Sequence, residues 1–381
     1  MPAPKDRIYK RKDGRYEGRY TIQTPDGPKR KRVYGRKYKE VQRKLAEAMG
    51  DAARGLVFDD ENMTVGEYLD RWLSDAVRGS VRESTFDRDS YLVRSHIKPI
   101  IGRRKLAKLT ALDVQRLYRD RLDSGLSPST VNKIHTVLHK ALSQAVRWEL
   151  IPRNPTDAVK APRPVSEEMH PLSAEEARRL LEAAKDVELQ ALYVLAVHTG
   201  MRQGELLGLK WSDVDLENRR LSIQRTLTRI NNGKHVTLGD PKTRKSRRTV
   251  GLTPQAVDAL RRHLARQMAD IERLGDSYQD QGLVFSTKVG TPINPSNLRQ
   301  RSLAPLLKRA GLPHIRFHDL RHTCATLLLG KGVHPKFVQE LLGHATIAIT
   351  LDTYSHVLPS MGDQAATAMQ EVLGQTENTL R

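Results

Sequence analysis

Hydrophobic and polar positions follow two different periods along the chain, and the changes of period divide it into segments. In residues 7–34, short β-prone runs are separated by Asp13-Gly14 and Asp26-Gly27, and an Asp-Gly pair between such runs is a hairpin signal. Runs 7–12, 15–22 and 29–34 therefore predict three short strands. From 38 to 53 the period is helical, with Val41, Leu45, Ala48 and Met49 on one face, so a small sheet backed by one helix is expected. Thr64-Val65-Gly66-Glu67 then has the form of a capping box opening a helix through Tyr68, Leu69 and Trp72. Helical patterns follow at 84–93, 110–122 and 129–148, the last carrying Val131, Ile134, Leu138, Leu142 and Ala145 on one face. Residues 60–158 thus read as a four-helix unit.

Pro152, Pro155, Pro162, Pro164 and Pro171 interrupt the pattern, because proline blocks regular structure and extends the backbone. This stretch is either an interdomain linker, assigned to 159–170, or a plain surface connection. Ser173-Ala174-Glu175-Glu176 caps the next helix. Beyond it, helical patterns at 189–198, 254–274, 295–310, 318–330 and 335–342 alternate with strand-like runs at 221–228, 235–238 and 248–252. A helical tail at 361–373 suits a subunit contact. The fold class expected is multidomain α+β. Its domains are a three-stranded sheet plus helix over 1–58, a helical domain over 60–158, and a mainly helical domain with a small antiparallel sheet over 171–381.

Composition narrows the partner. The 381 residues hold 65 Lys and Arg against 44 Asp and Glu, a net charge of +21 that repels itself unless a polyanion neutralises it. Nucleic acid is the leading partner; an inert basic surface or an anionic membrane is the alternative. Residues 1–55 carry 17 basic and 7 acidic side chains, hence +10 of that charge. A β-ribbon there could enter a major groove, with Arg7, Lys10, Arg11, Arg15, Arg19, Lys29, Arg30 and Arg32 as candidate DNA contacts, whereas the plainer alternative is a solvated basic tail. No apolar run is long enough to span a bilayer, the first residues lack a secretory core, and the single Cys324 cannot form an internal disulfide, so a cytoplasmic protein is expected.

Four stretches beyond residue 198 carry chemistry. Thr199-Gly200-Met201-Arg202-Gln203-Gly204-Glu205 ends one helix and starts another, leaving Arg202 at a helix N-terminus suited to an anion, or paired with Glu205 as a structural ion pair. Residues 240–248 form a turn with five basic side chains, including Lys242, Arg244 and Lys245, where a lysine can approach a phosphate or the run can simply be solvated. His318 and Arg321 stand three apart on a helix and share a face. Gly343-His344 follows, and ten positions later comes Tyr354.

Taken together, the order Arg202, Lys242, His318-x-x-Arg321, Gly343-His344, Tyr354 over residues 170–358 resembles the catalytic signature of the tyrosine recombinase (phage integrase) family, and the three-part layout resembles integrases with an arm-binding domain. The resemblance implies Arg202, Lys242, His318, Arg321 and His344 around a scissile phosphate, with Tyr354 as nucleophile and Glu205 at a commonly acidic position. His318 is the candidate base and Lys242 the candidate acid; Lys245, in the same turn, competes with Lys242. It also implies double-stranded attachment-site DNA as substrate, a homotetramer on DNA, and an excision factor or host bending factor as a further partner. No cofactor is expected, since arginines supply the positive charge that metal-dependent nucleases take from divalent cations. The sequence offers neither a two-metal carboxylate cluster nor a zinc pattern. A non-catalytic DNA-binding regulator, a chromosome-dimer recombinase and a type IB topoisomerase are the alternatives, and the basic segment 1–55 favours an integrase.

Overall fold

The computed structural model describes residues 8–24, 27–53, 62–164, 169–230, 235–239, 247–354 and 369–373. The chain divides into two compact units, Met1–Ser166 and Glu167–Arg381.

The first unit opens with an antiparallel sheet of β1 (Ile8–Lys10), β2 (Tyr16–Thr24) and β3 (Gly27–Gly35), backed by α1 (Tyr38–Ala53). Gly14 takes the left-handed conformation that the first hairpin turn needs. In the β2–β3 register Gly18 stands opposite Val33, and a side chain at Gly18 would collide with Val33 and Val41, which is how α1 lies close on this face. Val41 and Leu45 are buried there. By alternation the opposite face receives Tyr9, Arg19, Arg32 and Tyr34.

Next come α2 (Val65–Trp72), α3 (Glu83–Leu92), α4 (Lys98–Ile101), α5 (Ala111–Asp123) and α6 (Pro128–Arg147), with a turn at Pro155–Ala158. The capping box at Thr64 forms: its hydroxyl accepts from the Glu67 N–H, and Glu67 accepts from the Thr64 N–H at 2.8 Å. Thr110 and Asp113 repeat the device on α5. Tyr68, Leu69, Val114, Leu117, Ile134 and Leu138 meet in one core, in which the apolar face of α6 is the longest contributor. The helix expected over 84–93 runs on through a wider turn, Val93–Ile97, into α4.

In the second unit, α7 (Ala174–Ala183) begins at the Ser173–Glu176 capping box. Then follow α8 (Gln190–Thr199) and α9 (Gln203–Leu207), strands β4 (Val214–Asp215), β5 (Arg220–Ile223), β6 (Thr226–Ile230), β7 (His235–Gly239) and β8 (Arg248–Gly251), and α10 (Pro254–Leu274). The remainder is α11 (Pro295–Asn297), α12 (Ala304–Arg309), α13 (Asp319–Gly330), α14 (Pro335–Leu342) and α15 (Ile347–Tyr354). Residues 191–197 of α8 are buried all round, as befits a central helix.

Two expectations need correction here. The run 221–228 is not one strand: β5 joins the sheet β4-β5-β8, whereas β6 pairs with β7 in a separate ribbon. Leu221, Ile223 and Leu227 stay in phase and buried across the bend, so their alternation hides it; Arg225, at the bend, is pinned by an ion pair with Asp213. Likewise 295–310 is continuous but not uniformly α-helical, with a wider turn over Leu298–Leu303 between α11 and α12. Of the expected tail, 369–373 is helical and 361–368 lies outside the described residues. Among the described residues no helix is long and apolar enough to cross a membrane.

Candidate active site

Two helix ends build the centre. Helix α8 stops at Gly200 and α14 stops at Gly343, each glycine in the left-handed conformation. The last carbonyls of a helix lack intrahelical partners and sit at the negative end of its dipole, so they attract cations. Arg321, buried on the first turn of α13, takes both ends at once. Its Nη1 donates to the Gly200 carbonyl at 2.8 Å and its Nη2 to the Leu342 carbonyl at 2.7 Å. Burial and the neighbouring Arg202 push its pKa down to about 9, which leaves it a cation at neutral pH.

Arg202 caps α9 and converges on the same turn, its Nη2 lying 3.4 Å from the Gly343 carbonyl. Its Nη1 donates to Glu205 at 2.7 Å, so the expected ion pair is present, and the Arg202 side chain remains partly exposed. Glu205 is buried. Burial opposes its ionisation, but hydrogen bonds from Arg248 and the charges of Arg248 and Arg202 outweigh it and hold the carboxyl below its ordinary range.

Arg248 is the first of two residues whose role was not legible in the sequence. Its side chain is 8% exposed, donates to Glu205 at 3.0 and 3.2 Å, and donates from Nε to the Leu341 carbonyl at 2.6 Å. A Cβ on Gly343 would crowd it, 3.0 Å from Nη1. The strand pattern of β8 is visible in the sequence, but a basic run gives no sign of which member turns inward.

His344 is fixed from two helices. Its N–H donates to the Gln339 carbonyl, its carbonyl accepts from the Gln339 amide, and its Nδ1 shares a 2.8 Å hydrogen bond with the Thr350 hydroxyl of α15. Among the described residues Nε2 has no hydrogen-bond partner. Partial burial, with Arg321 and Arg202 close by, pushes its pKa down to about 4. His318 caps α13 and reaches solvent, yet desolvation by its surroundings and the nearby His322 and Arg321 also push it down to about 4. Both rings are therefore neutral at pH 7.

Tyr354 ends α15, 1% exposed, packed with Ala325, Leu329, Val338 and Leu342. Burial raises its phenol to about 12, with Arg321 acting in the opposite sense. Its hydroxyl does not meet His318, the base expected from the sequence; it shares a 2.7 Å hydrogen bond with Nδ1 of His322. His318 stands behind, its ring edge-on to that of His322 at 4.9 Å. His322, one turn after His318 on α13, is the second residue without an assigned role, although that helical spacing could have drawn attention to it. Cys324 lies beneath the site against Gly200, and burial pushes its thiol up to about 12.

Lys242, Arg244 and Lys245 fall in 240–246, outside the described residues, as does Arg7. Among the described residues no group of three His, Cys, Asp or Glu side chains is placed to hold a metal ion. On the N-terminal sheet, Arg11, Arg19 and Arg32 gather around the buried carboxylate of Glu17, and Arg19 and Arg11 lie over the rings of Tyr9 and Tyr34. Arg30 follows on the same strand edge and is exposed. Lys10 approaches Tyr16, and Arg15 is tied to Asp13 in the turn. Lys29 lies on β3 opposite Ile22; its side chain is outside the described residues.

Residues 171–361 match the phage integrase family, and residues 64–122 match the N-terminal SAM-like domain of phage integrases. The chain is 34% identical over 361 residues to a XerC-like tyrosine recombinase of Caldanaerobacter subterraneus subsp. tengcongensis, covering 90% of this chain and 92% of that protein. It is 28% identical to an integrase of Streptomyces ambofaciens, covering 90% and 89%. The structure of the transposon Tn1549 integrase in complex with a circular intermediate DNA superimposes with a TM-score of 0.66 at 23% identity, over 82% of this chain and all of that one, a likeness of fold. With one family matching half the chain and a relative alike over nine tenths of it, the chain belongs to the phage integrase family and is a tyrosine-type site-specific DNA recombinase.

Proposed function

We propose that this chain is the integrase of a mobile element, inserting or excising it by cutting and rejoining attachment-site DNA through a 3′-phosphotyrosyl intermediate. The observation that supports this best is the convergence of Arg202 and Arg321 on one turn, 342–344, with His344 in it and the Tyr354 hydroxyl within electrostatic reach of Arg321. Negative charge builds on the non-bridging oxygens as a phosphodiester is attacked, and donors already held in place stabilise it without reorganisation. Arg321 keeps N–H groups beyond the two that bind carbonyls, and Nε2 of His344 is available to donate in its Nε2–H form.

The Tyr354 oxygen attacks phosphorus and the bond to the 5′ oxygen breaks. The phenol proton passes to a neutral base, for which His318 is the residue expected from the sequence, and Lys242 protonates the leaving oxygen, Lys245 being its rival. Because the phosphotyrosyl bond conserves the energy of the cut strand, a 5′-hydroxyl from a second duplex reverses the step without ATP. Two duplexes require four cuts and each chain offers one nucleophile, which supports a homotetramer on DNA. Within each chain, 1–58 would bind arm-type sites through Arg7, Lys10, Arg11, Arg15, Arg19, Lys29, Arg30 and Arg32. Residues 60–158 would grip the crossover site, 159–170 would link, 171–381 would catalyse, and Arg244 and Lys245 would contact DNA near the acid. Relatives named integrase support the mobile-element role.

The test is a nicked suicide substrate, which traps the covalent adduct. Tyr354→Phe should bind DNA with unchanged affinity and form no adduct; cleavage at the unmodified rate would remove Tyr354 as nucleophile.

A further inference from the structure

The hydrogen bond between Tyr354 and His322 points to a function that the proposed chemistry leaves unassigned. A phenol raised to about 12 by burial is a poor nucleophile unless something holds its proton away from the attacking lone pairs. Among the described residues the one hydrogen-bond partner of that hydroxyl is Nδ1 of His322, at 2.7 Å. The contact is anchored on both sides. His322 is half-buried on α13, one residue beyond Arg321, and packs edge-on against His318; Tyr354 is sealed into the core that α13 shares with α14.

We infer that His322 is a positioning residue for the nucleophile: in its neutral Nε2–H form it accepts the Tyr354 hydroxyl at Nδ1 and orients the phenol oxygen beside Arg321. A phenol that donates its O–H keeps its oxygen lone pairs for phosphorus. The inference rests on the phosphotyrosyl reading above, and differs from it in making His322, not His318, the direct partner of the tyrosine. Because His322 and Arg321 are consecutive on one helix, the same rigid element that aims the cation aims the nucleophile.

The experiment compares His322→Phe, which keeps an aromatic ring and deletes the acceptor, with His322→Asn, whose side-chain amide carries an acceptor near the position of Nδ1. Each full-length variant is measured for affinity to crossover-site DNA, and for single-turnover adduct formation on the nicked suicide substrate at saturating DNA. His322→Phe should bind normally and cleave on the order of tenfold slower, and His322→Asn should recover most of that rate. Should the Phe variant fail to bind DNA, His322→Leu, also without an acceptor, takes its place. Equal rates in all three proteins would overturn the assignment, as would faster cleavage by the acceptor-less variant, which would make the hydrogen bond a restraint. Tyr354→Phe in parallel separates the two ideas: an adduct there sinks the phosphotyrosyl reading, whereas its absence together with unaltered His322 variants sinks only this one.

Discussion

Arg248 shows how much of this site depends on single buried charges. Glu205 and Arg248 are both nearly excluded from solvent, and each would be costly to bury without the other. Arg248→Met should therefore lower the unfolding free energy of the second unit by about 3–5 kcal/mol, measured by denaturant titration. Adding Glu205→Gln should return part of it by removing a buried carboxylate that has lost one of its two arginines and keeps Arg202. Additive losses in the double variant would mean that the pair is not coupled. At this scale the sequence was informative about pairs close along the chain, such as Arg202 with Glu205 three residues on. It was uninformative about pairs that depend on folding: Arg248 reaches Glu205 across 43 residues, and His322 reaches Tyr354 across 32.

Elements explain why the charges converge. Gly200 and Gly343 end α8 and α14 so that outward-facing carbonyls meet Arg321, and at both places the backbone is left-handed, a conformation that strains a residue with a side chain. Gly200→Ala meets two costs, a left-handed backbone of roughly 1–2 kcal/mol and a Cβ only 2.5 Å from Leu342 Cδ2. Gly14 has a similar backbone but open space, so Gly14→Ala should show only the first cost. Thermal melts should rank Gly200→Ala well below Gly14→Ala, and adduct formation should fall for the former alone. Caps, prolines and apolar faces located most helices because these signals are local: α10 and α14 have the bounds the sequence predicts. Sheet partners were harder, since β5 and β6 differ only in which distant strand each one meets.

For the molecule as a whole, charge and titration set the behaviour. Deleting residues 1–55 should make the logarithm of DNA affinity less steep against the logarithm of salt, by about 0.9 for each phosphate that the shortened protein no longer neutralises. An unchanged slope in filter-binding or fluorescence titrations would refute the arm-domain proposal. His198, His263, His318, His322 and His344 all have pKa values held below the ordinary histidine value, burial being the first cause in each. The unfolded chain thus binds more protons than the folded one between about pH 6.5 and, for His318 and His344, about 4, so stability present above that window is lost as pH falls through it. Melting temperature should drop from pH 7 to pH 5 at constant ionic strength; a flat or rising profile would contradict the depressed values. The N-terminal three-stranded sheet, the helices after it and the mixed elements of the second unit were legible because charge and period change along the chain, whereas the assembly of the site was not.

Cys324 has a practical consequence. It is the chain's single cysteine, shut beneath Gly200 with its thiol raised to about 12, and a thiol so rarely ionised reacts slowly with alkylating reagents. A cysteine introduced at an open position such as Leu112, 76% exposed, would take a maleimide fluorophore selectively with no prior removal of the native residue. Motion of either unit on DNA can then be followed by energy transfer in a protein whose active site is left intact.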